Sequence, residues 1–371
     1  MRVLHIYKAS LPESMGGVEQ VINTLAIGCV KKGLVVDVLA LSSNKTYKTD
    51  WNGCSIYFSK QNFSVASTGF SLHAIYNLWK LSKEADIIHL HFPWPYMDLM
   101  FFLLRLDKPT VITYHSDIVK QKNLVKFYKP LKNWLLNRVD LIVATSPNYL
   151  VTSQVLQRFI TKVEVIPIGL EKLFYPLSDS ERLKYWHNLI GDKFFLFVGV
   201  LRYYKGLSIL LDALALGDFP TVIVGAGPIE NELKTQAASL GLKNVVFLGY
   251  VSEEDKVEII RLSFAVVFPS NLRSEAFGVS LLEGAMYGKP LISSEIGTGT
   301  CFINRNQETG IVVPPSSSKD LNAAMSYLWN TPELAKQMGA NAAVRFSELF
   351  TADKMTDAYI TQYRRIVDRK S

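Results

Sequence analysis

The sequence predicts an α/β protein made of two successive parallel-sheet halves. Three observations carry this. Short apolar runs alternate with amphipathic stretches from the first residues onward, which is the grammar of β-α-β units. The grammar restarts in mid-chain at Phe194-Phe195-Leu196-Phe197-Val198-Gly199. The chain, at 371 residues, is long for one core and fits two domains of ordinary size.

Composition narrows the class. Hydrophobic residues make up 49% and charged residues 20%, which suits a globular protein rather than a disordered one. Cys29, Cys54 and Cys301 are odd in number and far apart. They form neither a disulfide framework nor a metal-ligand spacing, so a reducing cytosol is the expected setting. The opening Met1-Arg2-Val3-Leu4-His5-Ile6-Tyr7 reads as a strand and not as a signal peptide. The most apolar stretch, Met97 to Leu106, includes Asp98 and Arg105. It falls short of the roughly 20 apolar residues that span a bilayer. A net charge of +7 admits nucleic acid, anionic lipid or anionic substrates as partners.

In the first half, Val3 to Tyr7 is a buried strand, followed by a loop and an amphipathic helix from Val18 to about Lys32. Gly16-Gly17 ends that loop. Paired glycines there suit either backbone N–H groups facing a phosphate or a plain flexible turn. No complete G-x-G-x-x-G is present, which disfavours a nicotinamide site. Further strands are predicted at Leu34 to Leu41, Asp86 to His91, Thr110 to Tyr114, Val139 to Ser146 and Val163 to Pro167. His115-Ser116-Asp117 follows the fourth of these six.

Residues 118–138 contain Lys120, Lys122, Lys126, Lys129, Lys132 and Arg138 and no acid. Leu124, Phe127, Tyr128, Leu131, Trp134 and Leu135 share one helical face, the expected core side. Lys122, Lys126 and Lys129 share the opposite face, with Lys132 at its edge. This is either a solvated face or one that docks on acidic lipid headgroups. No nucleic-acid motif accompanies it. The region 169–192 has no clear strand and is the expected linker.

The second half opens with strand 194–199, then Val200-Leu201-Arg202-Tyr203-Tyr204-Lys205-Gly206 and a helix from Leu207 to Leu216. Cations at a strand-to-helix turn suit a pyrophosphate. Thr221 to Pro228 is a strand with a glycine turn, and a helix follows from about Ile229 to Leu240. Asn244 to Ser252 holds the next strand and turn. Strand Phe264 to Phe268 then runs into Pro269-Ser270-Asn271-Leu272-Arg273-Ser274-Glu275-Ala276-Phe277-Gly278 and a helix. Gly278 allows close approach of a ligand to the backbone, and free N–H groups at a helix start attract phosphate. Glu275 and Glu283 lie about two turns apart and can face one cleft. The bland alternative is that two acids near a helix start merely stabilise its dipole. Residues 291–294 form another strand, Thr309 to Pro314 a further one, and Met355 to Lys370 a last helix.

The order strand, Ser274-Glu275-Ala276-Phe277-Gly278, helix, Gly288-Lys289-Pro290, strand resembles the donor-binding segment of retaining glycosyltransferases of family 4. Lys205-Gly206 and Thr309 to Pro314 match the same pattern, and the likeness covers nearly the whole chain. The resemblance implies the GT-B fold, two Rossmann-like domains facing across a cleft. Residues 1–170 would be the acceptor-side domain and 171–354 the nucleotide-sugar-binding domain. A last helix, about 355–371, would cross back to the first domain. It also implies roles. His115 would contact the donor sugar and line the reaction centre. Glu275 would hold the sugar and Glu283 the ribose. Lys205, and N–H groups near Phe277, Gly278 and Val279, would stabilise the departing β-phosphate. Arg202 would stand in for the arginine that the family carries at the position of Val200, or serve as a surface ion-pair residue. Gly16 and Gly17 would border the donor phosphates and the acceptor. Backbone at Tyr250 and Val251 would lie against the base. The loop Gly297-Thr298-Gly299-Thr300 departs from the family's Gly-Gly-x-x-Glu.

The likeness is nearest to bacterial O-antigen mannosyltransferases. It implies GDP-mannose as co-substrate and an undecaprenyl-pyrophosphate-linked glycan as acceptor. The implied setting is the inner face of the bacterial cytoplasmic membrane, an anionic surface shared with other polysaccharide-assembly enzymes. No Asp-x-Asp occurs, so no essential metal is expected. The alternatives are a UDP-sugar-dependent transferase of the same fold, a nucleotide-sugar epimerase, a nicotinamide dehydrogenase, and a non-catalytic nucleotide-sugar-binding protein.

Overall fold

A computed structural model describes residues 1–14, 16–65, 68–118 and 122–370, with 122–126 described for the backbone only. The chain divides into two compact units, Met1–Gly169 with Thr351–Ser371, and Leu170–Phe350.

The first unit holds β1 (Arg2–Ile6), β2 (Val35–Ser42), β3 (Tyr47–Trp51), β4 (Cys54–Lys60), a small hairpin β5 (Phe63–Val65) and β6 (Thr68–Phe70), β7 (Ile87–Phe92), β8 (Thr110–Tyr114), β9 (Leu141–Ala144) and β10 (Val163–Val165). Eight strands form one sheet in the order β10-β9-β8-β7-β1-β2-β4-β3. Within this sheet β3 alone runs antiparallel to its neighbour, and β5 and β6 pair antiparallel in their separate hairpin. β7, β8 and β9 are buried along their whole length. This is why they read as continuous apolar runs, since a parallel sheet is covered on both faces. The hairpin at 47–60 and the helix Leu72–Glu84 add to the elements expected from sequence.

The last helix, Ala352–Lys370, belongs to this first unit, as the resemblance implied. It packs on the helix Gly17–Lys31, where Gly28 leaves room for Thr356: a Cβ on Gly28 would lie 2.2 Å from the Thr356 hydroxyl. Tyr359 and Tyr363 of this helix are buried, and Lys32 ion-pairs with Asp357 at 2.8 Å.

The basic helix spans Lys122–Arg138. The side chains of Lys122 and Lys126 lie outside the described residues, and Lys120 does too. Two expectations for this helix are corrected. Phe127, assigned to the core face, is 86% exposed. Its neighbour Tyr128 turns inward instead and donates its hydroxyl to the buried Asp98 carboxylate. Lys132 is half-buried rather than open, and burial lowers its pKa. Lys129 is exposed, as expected.

The second unit holds β11 (Phe195–Val198), β12 (Thr221–Val224), β13 (Val245–Gly249), β14 (Ala265–Phe268), β15 (Leu291–Ser294) and β16 (Gly310–Val313). All are parallel, in the order β13-β12-β11-β14-β15-β16. The stretch expected as a linker contains a helix, Ser180–Ile190, that is part of this unit. Trp186 anchors it by packing with Phe194, Leu196 and Ile259, and its indole N–H donates to Asp255 at 2.9 Å. A lone tryptophan on a polar helix was the available signal.

Candidate active site

In the second sheet the strand order reverses between β11 and β14. Successive strands run outward from β11 on one side and from β14 on the other. The loops leaving the carboxyl ends of such a central pair diverge and leave a crevice where ligands bind. Those two loops are 199–206 and 269–278, which carry Lys205 and Glu275.

Glycine is what lets the loops meet. Gly206 has φ +70°, and a Cβ there would sit 1.9 Å from the Pro269 carbonyl oxygen. Any side chain at 206 would therefore be strained and would push the two loops apart. With them in contact, the Lys205 ammonium reaches the Glu275 carboxylate at 2.5 Å. It also lies 4.7 Å from the centre of the Phe268 ring, a cation–π contact. Ser270 donates its hydroxyl to the same carboxylate oxygen at 3.3 Å. Lys205 and Glu275, to which the resemblance gives separate tasks, are thus ion-pair partners.

Gly278 has φ +101° and precedes the helix Val279–Met286 with no side-chain cap. The first N–H groups of that helix lack intrahelical partners. Phe277 is buried and packs edge-on to Phe350, so its backbone is what it can offer a ligand. The loop that departs from the family pattern is tied to this segment: the Gly299 N–H donates to Ala276 O at 2.9 Å, and Arg273 donates to Gly297 O at 3.0 Å.

Glu283 is 3% exposed, and its Oε1 accepts from the Tyr175 hydroxyl at 2.9 Å and from Lys256 at 2.8 Å. Lys256 bridges on to Glu253 at 2.7 Å. Burial works against the Lys256 charge, but Glu283 and Glu253 outweigh it and hold its pKa at about 12. The carboxylate expected to face a ribose is therefore oriented in advance by a tyrosine and a lysine that sequence reading did not single out. Neither lies in a motif, and both are far from Glu283 in the chain.

Arg202 is exposed, and no ion pair engages it among the described residues. Tyr250 is 80% exposed just past β13, while Val251 packs against the core that holds Trp186. In the first unit, Gly16 caps the helix Gly17–Lys31 in an extended conformation. The carboxylate of Glu19 lies against it, with one oxygen 2.6 Å from where a Cβ would be. A carboxylate already occupies the positive end of that helix dipole. His115 is buried at the end of β8, with its backbone N–H donating to Phe92 O at 3.0 Å and its ring Nε2 hydrogen-bonded to His91.

Comparison with known proteins shows the family. Residues 184–345 match the family described as "Glycosyl transferases group 1". Residues 15–171 match "Glycosyltransferase Family 4". A D-rhamnosyltransferase, WbpZ, of Pseudomonas aeruginosa is 54% identical over 353 residues, 95% of this chain and 93% of that protein. The chain belongs to glycosyltransferase family 4. An O-antigen chain mannosyltransferase C of Escherichia coli is 49% identical over 372 residues, with all of both chains covered. Among solved structures, a sucrose-phosphate synthase from Thermosynechococcus elongatus superposes with a TM-score of 0.81 at 20% identity, covering 99% of both chains. Anabaena HepE in complex with UDP superposes with a TM-score of 0.75 at 19% identity, covering 98% of this chain and 100% of that one. These structures establish the GT-B class of fold for this family 4 enzyme.

Proposed function

We propose that this glycosyltransferase moves mannose from GDP-mannose, with retained anomeric configuration, onto a lipid-linked glycan during O-antigen synthesis. The observation that carries the reading is the 49% identity, over its full length, to the Escherichia coli protein named an O-antigen chain mannosyltransferase. The similarity to a D-rhamnosyltransferase favours a second reading, a rhamnosyl donor. The two sugars differ chemically only at carbon 6, where rhamnose lacks the hydroxyl. A UDP-sugar donor is a further alternative on the same fold. An epimerase would need no acceptor, and a purely binding protein would release no nucleotide.

In this mechanism, bond breaking at the anomeric carbon places negative charge on the β-phosphate. Lys205 and the backbone N–H groups at Gly278 and Val279, at the start of the helix, stabilise that charge. Glu275 accepts hydrogen bonds from the donor sugar, and Glu283 from the ribose diol. The acceptor hydroxyl attacks from the face that the phosphate leaves, and the phosphate takes its proton. That route needs no separate base and no metal. Arg202 would grip the pyrophosphate, Gly16 and Gly17 would border it, and the turn at Tyr250 and Val251 would flank the base.

The test is thermal unfolding with GDP, UDP, ADP, GDP-mannose, GDP-rhamnose and UDP-glucose. A ligand of the folded state adds about 2.7 kcal/mol of stability at a hundredfold excess over its dissociation constant. The expected result is a raised midpoint with GDP and its conjugates alone. A shift confined to UDP compounds would overturn the donor.

The reading includes docking on an anionic membrane surface. Phe102 and Leu103 on the helix Pro95–Leu104 are exposed, as are Phe127 and Lys129 on the helix packed beside it. Among the described residues no helix is long and apolar enough to cross a membrane. Each lysine near an acidic surface contributes about 1 kcal/mol. Co-sedimentation with phosphatidylglycerol vesicles should fall in Phe127→Asp and in Lys129→Glu. Wild-type protein that stays in the supernatant would end this part of the reading.

A further inference from the structure

A row of buried imidazoles crosses the first unit. Strand register builds it. His5 on β1 pairs with His89 on β7, and His91 pairs with Thr113 on β8. His91 lies two residues beyond His89, and His115 two beyond Thr113. Residues two apart on a strand share a face, so the four rings gather on one side of the sheet. His5 Nδ1 meets His91 Nε2 at 3.0 Å, and His91 Nδ1 meets His115 Nε2 at 3.0 Å. His89 stands beside the row, with Nδ1 on the Tyr363 hydroxyl at 2.6 Å and Nε2 on Thr113 at 2.7 Å.

His5, His89 and His91 are close enough together to suggest a metal site. Their hydrogen bonds argue otherwise. Both ring nitrogens of His89 and both of His91 are already engaged, and a ligand nitrogen needs a free lone pair. The group is a hydrogen-bond chain.

Proton counting then decides what His115 presents. A neutral imidazole carries one N–H and one acceptor nitrogen. Each of the two ring-to-ring contacts holds one proton, so the three neutral rings share a single tautomer. The third proton sits at one end of the row, on His5 Nε2 or on His115 Nδ1. Among the described residues, nothing hydrogen-bonds to the buried His5 Nε2. A buried N–H with no acceptor is among the rarest arrangements in folded proteins. Among the described residues, His115 Nδ1, at the other end, is not one of the buried polar atoms left without a partner. The proton belongs there.

We propose that His5 and His91 are positioning residues that lock His115 as a neutral imidazole, its Nε2 accepting and its Nδ1–H offered to a hydroxyl of the transferred sugar. The last clause rests on the reading of His115 as a donor-sugar residue; the lock itself does not. Burial supports the neutral state, since it pulls His5 and His115 each down to about 3. His115 on this account cannot act as a general base through Nε2, which His91 occupies. It acts as an oriented donor.

The test is a long-range proton–nitrogen correlation spectrum of the full chain labelled with ring-15N histidine. His5→Gln, His91→Gln and His115→Gln provide the assignments. The expected spectrum has all three rings protonated at Nδ1 and bare at Nε2. Different tautomers among the three, or a protonated His115 Nε2, would overturn the lock. The wild-type spectrum carries this result even if a variant does not fold, and it needs no donor. Addition of GDP-mannose or UDP-glucose, whichever shifts the melting midpoint, should then move the His115 Nδ1–H resonance. A spectrum of the expected tautomer that neither nucleotide sugar perturbs would overturn the sugar contact and leave the lock standing.

Discussion

Lys205→Ala and Glu275→Ala should each lower turnover at least tenfold, a barrier change of about 1.4 kcal/mol. Both side chains are about 11% exposed and 2.5 Å apart. Removing one partner leaves the other charge buried and uncompensated, which costs about 3–5 kcal/mol. Each single variant should therefore lose stability as well as activity, and activity loss alone would not identify a catalytic role. The double variant, Lys205→Met with Glu275→Leu, separates the two. Taking a buried pair out together and filling its volume is close to neutral for stability. It should melt nearer to wild type than either single variant and remain as inactive as they are. A double variant that recovers turnover along with its melting midpoint would show the pair to be structural only. Steady-state transfer rates and urea midpoints on the four proteins suffice.

Acid should unfold the first unit steeply, well above the ordinary carboxylate range. His5 and His115 are held by burial at about 3, and His89 and His91 well below 6.5. Between about 6.5 and about 3 the unfolded chain binds a proton on each imidazole and the folded chain does not. Stability from these groups is thus present above the unfolded histidine pKa and lost as pH falls. Two acids oppose this. Burial pushes Asp98 up to about 7 and raises Asp37. Their protons stay on the folded form and leave the unfolded one, so they favour folding as pH falls. Four histidines against two acids leave a net uptake of two to three protons on unfolding. That corresponds to about 3 kcal/mol lost per pH unit. Urea midpoints at about pH 6 and about pH 5 should differ accordingly. Equal midpoints would mean that the imidazoles are not kept neutral, and the hydrogen-bonded row would lose its basis.

Much of the fold was legible because parallel strands buried on both faces must be continuous apolar runs. The starts at Val3 and Phe194 and the strands at 110–114, 221–224 and 291–294 could be read from that rule alone. The edge hairpin at 47–60 was not read, because its strands alternate and are partly exposed. The helix Ser180–Ile190 was not read either: its face is polar except where Trp186 and its neighbours dock. Phe127 failed for a related reason. Helical periodicity placed it on the core face, but the Tyr128–Asp98 hydrogen bond aims the neighbouring position inward.

The candidate site divides in the same way. Lys205, Gly206, Glu275, Gly278 and Glu283 could be found from sequence because each lies within one strand-loop-helix segment, and such a segment dictates where its loop emerges. What those residues do to one another could not. The Lys205–Glu275 pair depends on two loops meeting at the strand-order reversal between β11 and β14. The anchoring of Glu283 by Tyr175 and Lys256 joins residues 108 and 27 positions apart. The bond from His89 to Tyr363 spans 274 positions, and the row from His5 through His91 to His115 follows strand register. By itself, then, the sequence determined the β/α grammar, the family and the loops that carry the candidate site, because these follow from local periodicity and short motifs. Only the tertiary structure decided which charges are paired, which imidazole nitrogens are occupied and which aromatic residues face water, because those depend on how distant segments are brought into register.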